Sequence, residues 1–226
     1  NLEYVGDKAV KTQSFGVAVL AYQTYLKYKN DEVKIYGKLG EVYGKSLGNL
    51  LKAEELLLIA HNFDKQNTNI LQKLGVVFAI QGKVTEALDI FVQAEKIEPK
   101  NPHVLINVGL TYNNLGFAEK GDQYIQKAIE IDPNYTEAQY QLGAHLFNWA
   151  NDLKTGADQL DLNDPKAPLL VQKSEATLNR ALVVLEKYIL INPTEKAVLE
   201  ILWKSYYKLG NDVKSAEYKK RAQEIK

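Results

Sequence analysis

The amino-acid sequence predicts an all-α fold, a solenoid built by stacking helix–turn–helix units. Three observations predict it. Apolar residues recur with a 3.6-residue period in short segments separated by Gly, Asn and Pro. The whole pattern returns after 34 residues. Small residues and a terminating proline hold fixed offsets within each copy, which a chance amphipathic hairpin would not preserve.

Residues 102–135 are the most regular copy and serve as the template. Leu105, Val108, Gly109 and Tyr112 form the apolar stripe of a first helix, and Gly121, Ile125, Ala128 and Ile129 that of a second. Asn114-Leu115-Gly116 turns the chain between them, and Asp132-Pro133 ends the unit, because proline lacks the N–H that a continuing helix needs. Gly109 and Ala128 are small residues on apolar faces, so two helix backbones approach closely there. Residues 68–101 repeat the template, with Leu71, Leu74, Gly75, Phe78, Gly82, Ala87, Phe91, Ala94 and Pro99 in register.

The remaining units follow in order. Residues 1–32 are a degenerate copy: Leu2, Val5, Gly6 and Ala9, then Ala18, Tyr22 and Tyr25, with Asn30-Asp31 in place of the proline. Residues 33–67 carry Tyr36, Leu39, Gly40 and Tyr43, and then Gly48, Ala53, Leu57 and Ala60 one residue late. Their inter-helix turn, 44–49, therefore holds one extra residue.

Residues 136–193 begin with Leu142, Gly143 and Leu146 and end with Ala181, Leu185, Tyr188 and Asn192-Pro193. Gly143 and Ala181 are 38 residues apart, against 12 between Gly109 and Gly121, so this unit holds a 26-residue insert around 151–176. Leu153, Ala157 and Leu160 extend the first helix, 161–168 reads as a turn, and Leu169 or Leu170 to Leu178 extends the second helix backwards. The reading is one repeat with elongated helices, with a flexible loop as the alternative. Residues 194–226 form the last unit, with Leu199, Leu202, Tyr206 and Gly210, then Ser215 and Ala222 on a polar capping helix. Trp203 stands where earlier copies have Gly, which predicts unusual packing. All units are read as a single array spanning 1–226.

These positions resemble the tetratricopeptide repeat (TPR), whose signature is W-x2-L-G-x2-Y, then A-x3-F, then A and P. The extended penultimate repeat and the ending LEKYILINPTEKAVLEILWKSYYKLGNDVKSAEYKKRAQEIK are similar to repeat proteins of the Bacteroidetes. The resemblance implies a right-handed superhelical solenoid whose first helices line a concave surface where peptides or partner segments dock. It also implies a bacterial origin and frequent export to the cell envelope, and no single activity.

Carried onto this chain, the groove stripe is Gln72, Val76 and Ala79; Ile106, Leu110 and Asn113; and Tyr140, Ala144 and Phe147. In the preceding copy it is Gly37, Glu41 and Gly44, flanked by Lys38 and Lys45, so the groove is expected to run from charged to apolar and aromatic. Chaperone-binding members grip a C-terminal carboxylate with Lys, Asn and Arg. Among the corresponding residues Gln72, Val76, Asn107, Glu137 and Gln141, only Asn107 is of that type, which disfavours such tails. An apolar groove suits an amphipathic helix or an extended apolar peptide.

Composition narrows the function classes. The 226 residues hold 28 basic and 28 acidic side chains, and this zero net charge argues against nucleic acid as a partner. The absence of Cys excludes disulfides, zinc–thiolate sites and thiol catalysis. No run approaches the roughly 18 apolar residues of a transmembrane helix. The absence of Met and the start at Asn1 suggest a processed chain, with a signal peptide or lipid anchor as a candidate for what preceded it.

His61, His103 and His145 lack metal-pair spacing, and Asp158, Asp161, Asn163 and Asp164 lack the EF-hand pattern. There is no phosphate-binding glycine loop and no nucleophile elbow. No cofactor, metal or catalytic activity is expected. The expected function is protein–protein interaction as an adaptor or scaffold binding a protein or peptide. Self-assembly as a homo-oligomer, through the long hairpin or the terminal repeats, is the alternative.

Overall fold

The computed structural model describes residues 1–161 and 163–225. Leu162, inside the expected turn at 161–168, and Lys226, the end of the last unit, lie outside the described residues. The described residues form helices joined by short turns, with no strand among them. They form two compact units, Asn1–Gly121 and Asp122–Lys226.

The first unit holds α1 (Leu2–Lys11), α2 (Phe15–Tyr28), α3 (Val33–Glu41), α4 (Leu50–Phe63), α5 (Thr68–Ile80), α6 (Val84–Ile97) and α7 (Pro102–Asn114). It also holds the start of α8 (Ala118–Ile131). Asparagines start several of these helices: Asn49, Asn67 and Asn101 accept from the amides of Lys52, Ile70 and Val104, satisfying donors that a helix start leaves orphaned. Pro102 follows at the first helical position, where its missing N–H costs nothing. Gly82 and Gly116 end first helices with φ of 78° and 83°, a left-handed conformation that glycine adopts without strain. Gln13, at the corresponding place in the first copy, is held at φ 57°.

One rule packs the hairpins. A Cβ built on Gly75 would lie 2.5 Å from the Phe91 ring, and one on Gly143 would lie 2.3 Å from Leu185, so the second helix inserts its large side chain against bare backbone. Phe91, Leu71, Leu74 and Leu57 are at most 2% exposed, and at about 25 cal/mol per Å2 of apolar surface such side chains dominate the stability.

The extra residue at 44–49 is absorbed by the helix rather than by a loop. Val42–Ser46 form a π-helical turn directly after α3, with the Leu47 amide donating to the Val42 carbonyl at 3.1 Å.

The second unit holds the rest of α8, α9 (Thr136–Asp158), α10 (Lys166–Ile191), α11 (Lys196–Lys208) and α12 (Asp212–Glu224). At 23 and 26 residues, α9 and α10 far exceed the 13 or 14 of α5 to α8. Small side chains line their seam: Ala150, Ala157, Ser174 and Thr177 are buried, and the Ser174 hydroxyl donates to the Ala150 carbonyl at 2.7 Å. Helix α10 begins at Lys166, so Pro168 lies inside it rather than in the turn. Its first turn accepts a proline because no intrahelical donor is needed there.

Trp203 is half-buried. The ammoniums of Lys204 and Lys219 lie 5.7 and 5.2 Å from its ring, and its carbonyl accepts from the Ser215 hydroxyl. In the closing hairpin a large ring thus stands at the place of Gly75, and Lys219 at the place of Phe91.

Candidate partner-binding groove

The first helices of residues 1–121 meet along one face. Between α3, its π-turn, α4, α5 and α7 lies a cavity of about 220 Å3. Leu57 and Val77, 0% and 6% exposed, give it an apolar floor. Gln72 and Val76 from the expected stripe line it, as do Glu41 and Gly44 from the preceding copy and Asn107 from the following one. Ile80, 62% exposed, stands at its edge. The π-turn matters locally, since it supplies both Gly44 and Lys45.

Glu41 is the polar centre. Its carboxylate accepts from Lys73 Nζ at 2.6 Å and from Lys45 Nζ at 2.9 Å. Burial alone pushes this carboxyl up, but the two ammoniums outweigh it and hold it below the ordinary range. With one carboxylate against two ammoniums, the rim keeps a positive excess, and the amides of Asn69, Gln72 and Asn107 add donors and acceptors suited to a peptide backbone.

A second cavity of about 380 Å3 shares Glu41 and Lys45 and extends the face towards α1, where Asp7, Lys11, Tyr22 and Lys38 line it. Lys38 Nζ donates to Asp7 at 2.6 Å and to Glu3 at 2.8 Å, and the Tyr22 hydroxyl donates to Asp7 at 2.7 Å. Burial works against the Lys38 charge, but these two carboxylates raise its pKa overall.

The other expected groove residues are placed differently. Ala79, Leu110 and Asn113 are half-buried and lie outside these two cavities. Ile106 is only 4% exposed, so it belongs to the core as much as to any surface. The Asn113 amide oxygen and nitrogen are buried without a hydrogen-bond partner. A Cβ on Gly121 would fall 1.8 Å from Asn113 Oδ1, which explains why glycine replaces the alanine found at Ala87. In the second unit Tyr140, Ala144 and Phe147 are half-buried, and the Tyr140 ring packs on Tyr188 at 6.0 Å.

One cluster had no signature in the sequence. Asp122, 2% exposed, contacts His145 Nδ1 at 2.8 Å and Arg180 at 3.5 Å. Its members come from α8, α9 and α10, so no local spacing announces it. The three side chains tie α8, α9 and α10 together. Among the described residues no three His, Asp or Glu side chains converge on a metal position, and no helix is long and apolar enough to cross a membrane.

Residues 102–135 match the family model of the tetratricopeptide repeat. This segment is a tetratricopeptide repeat. The chain as a whole has the tetratricopeptide-repeat fold, as three solved structures show. Pseudomonas aeruginosa pilF matches with a TM-score of 0.74 at 13% identity, covering 96% of this chain and 86% of its own. A tetratricopeptide repeat protein from Parabacteroides merdae matches at 0.69 and 14%, covering 99% and 78%. YrrB, described as a TPR protein with an unusual peptide-binding site, matches at 0.62 and 19%, covering 91% and 92%.

Among curated proteins, the probable UDP-N-acetylglucosamine–peptide N-acetylglucosaminyltransferase SPINDLY of Hordeum vulgare is 31% identical over 111 residues, which is 48% of this chain. The BBSome complex member BBS4 of Bos taurus is 24% identical over 146 residues, or 65% of the chain. The chain spans only 12% and 28% of the lengths of these two relatives.

Proposed function

We propose that this tetratricopeptide-repeat chain is a non-catalytic scaffold that binds a peptide or helix of a partner protein along its first-helix face. The observation that carries the reading is the cavity around Glu41, an apolar floor with an ion-paired rim and three amides. Apolar side chains of a partner fill the floor, and its backbone meets the amides. The peptide-binding site in the description of YrrB agrees in kind. Gln72 and Val76 are the central contacts; Ala79, Ile106, Leu110 and Asn113 complete the stripe of the first unit, and Tyr140, Ala144 and Phe147 form a stripe of the second unit by itself.

The test compares affinity capture from source-cell extract by the wild-type chain and by a Val76→Glu, Leu110→Glu variant. Both residues are half-buried, so circular dichroism first establishes that the variant is folded. The expected result is loss of the captured partners, and an unchanged partner set at unchanged yield overturns the groove. Self-assembly is the second reading, favoured by the length of α9 and α10. Light scattering over a concentration range, with and without residues 151–176, decides it, since a monomer throughout rejects it.

A further inference from the structure

The longest helix, α10, carries a stripe that its own unit leaves uncovered. Leu169, Ala176, Val183 and Leu190 recur every seventh residue and all face solvent, Leu169 at 64%, Val183 at 58% and Leu190 at 83% exposure. Four residues after the first three stand Lys173, Arg180 and Lys187, also exposed. Residues four apart share a helix face, so an apolar row and a basic row run side by side. The opposite face, with Leu178, Ala181 and Leu185, is buried in the unit. The outward side of α6 shows no such row, exposing Glu86, Asp89, Gln93 and Lys96 instead.

A seven-residue apolar interval keeps one seam turned towards a second helix wound around the first. From Leu169 to Leu190 that seam is about 32 Å long at 1.5 Å per residue. The insert creates half of it: Leu169, Lys173 and Ala176 all belong to 151–176, and without them only Val183 and Leu190 would remain. Pairing of two helices along such a seam needs about three heptads, a length the row reaches only with the residues of the insert included.

We propose that the outward face of α10 docks an amphipathic helix of a partner protein, one with apolar residues at heptad spacing beside a row of acidic residues. Charge selects this occupant. Lys173 lies 5.0 Å over the Trp149 ring, Arg180 reaches Asp122 at 3.5 Å while 53% exposed, and Lys187 is exposed. Glu175 is exposed on the other flank, and Glu186 turns away to Tyr206 and Lys214. A second copy lying antiparallel on this face would set Arg180 against Arg180 and Lys173 against Lys187, a like-charge arrangement that disfavours self-pairing.

The test uses the full chain and two synthetic four-heptad helical peptides with leucine seams, one flanked by Glu and one by Lys, with binding read by fluorescence anisotropy. The Glu peptide is expected to bind, more weakly as salt rises, and the Lys peptide is not. Leu169→Glu and Leu190→Glu, both at exposed positions, are each expected to weaken binding about tenfold while the circular dichroism melt stays unchanged. Lys187→Glu is expected to shift preference towards the Lys peptide, and Val76→Glu, in the groove, to bind the Glu peptide as the wild type does. Equal binding of the two peptides, binding of neither, or binding indifferent to Leu190→Glu overturns the proposal. So does a dimer in light scattering that Leu190→Glu dissolves, which would assign the face to a second copy.

Discussion

The segment around Glu41 and the hairpin of α9 and α10 both depart from the same repeat, and they absorb the departure in opposite ways. At 42–46 a single extra residue becomes a π-helical turn, which brings Gly44 and Lys45 to the wall of a cavity. At 151–176 a long insert becomes more α-helix, with its seam closed by small side chains and its outer surface left open. A one-residue insertion cannot add a helical turn, so it distorts the backbone locally and exposes an interior. A long insertion satisfies most of its backbone hydrogen bonds by prolonging two helices, so it changes mainly the surface. Individuality in a stacked-repeat chain therefore takes two forms, a pocket where the register slips and a new face where the hairpin grows.

Substitutions sharpen this contrast. The largest effect is expected in the seams. Leu71→Ala in the first unit and Leu185→Ala in the second, both 0% exposed, should each cost about 3 kcal/mol in chemical denaturation. Leu190→Ala on the same helix as Leu185 should lie within about 0.5 kcal/mol of wild type, because it is 83% exposed. Equal losses at Leu185 and Leu190 would mean the outer face of α10 is covered in solution.

Next comes packing against glycine. Gly75→Ala drives a methyl to within 2.5 Å of the Phe91 ring and should cost about 2 kcal/mol, read as a lower denaturation midpoint at an unchanged slope.

Acid should act unevenly. Glu3, Asp7, Glu41, Glu54 and Glu98 in the first unit are held below their ordinary pKa by Lys34, Lys38, Lys73, Lys83, or by Thr68 and Asn101. In the second unit Glu186 is held down likewise, its burial outweighed by bonds from Tyr206 and Lys214. A depressed carboxyl contributes stability above its unfolded pKa, near 4, and that contribution is lost as pH falls through its folded value. Amide exchange measured as pH drops from about 5 should therefore rise first in α1 to α6. A uniform rise along the chain would contradict this assignment.

The smallest effect is a gain. Gln13 occupies the left-handed position that Gly82, Gly116 and Gly210 fill in other copies. Gln13→Gly should stabilise by about 0.5–1 kcal/mol, seen as a melting point higher by a few degrees.

The repeat itself was legible in the residues. Gly75, Ala87, Phe91 and Pro99 keep template offsets because close helix packing admits few alternatives at those places, and the structure seats Phe91 on Gly75. Of the expected groove stripe, Gln72 and Val76 line a cavity and Ile106 is buried. The burial of Ile106 was not legible, because it depends on what packs over α7, and a helical period reports a face without saying what covers it. The one-residue lag at Gly48 was visible, but its conversion into a π-turn was not, because a loop and a distorted helix absorb the same residue count.

By itself, then, the sequence determined the helical hairpins and their period, which follow from local pattern and steric rules. Only the tertiary structure decided that Glu41 holds Lys45 and Lys73 at the cavity rim and that Asp122 is buried against His145 and Arg180. It alone showed that Leu169, Ala176, Val183 and Leu190 are left facing solvent. The physical reason is the same in each case: these arrangements join groups from different helices, or depend on what covers a face, and periodicity along one helix carries no information about its neighbours.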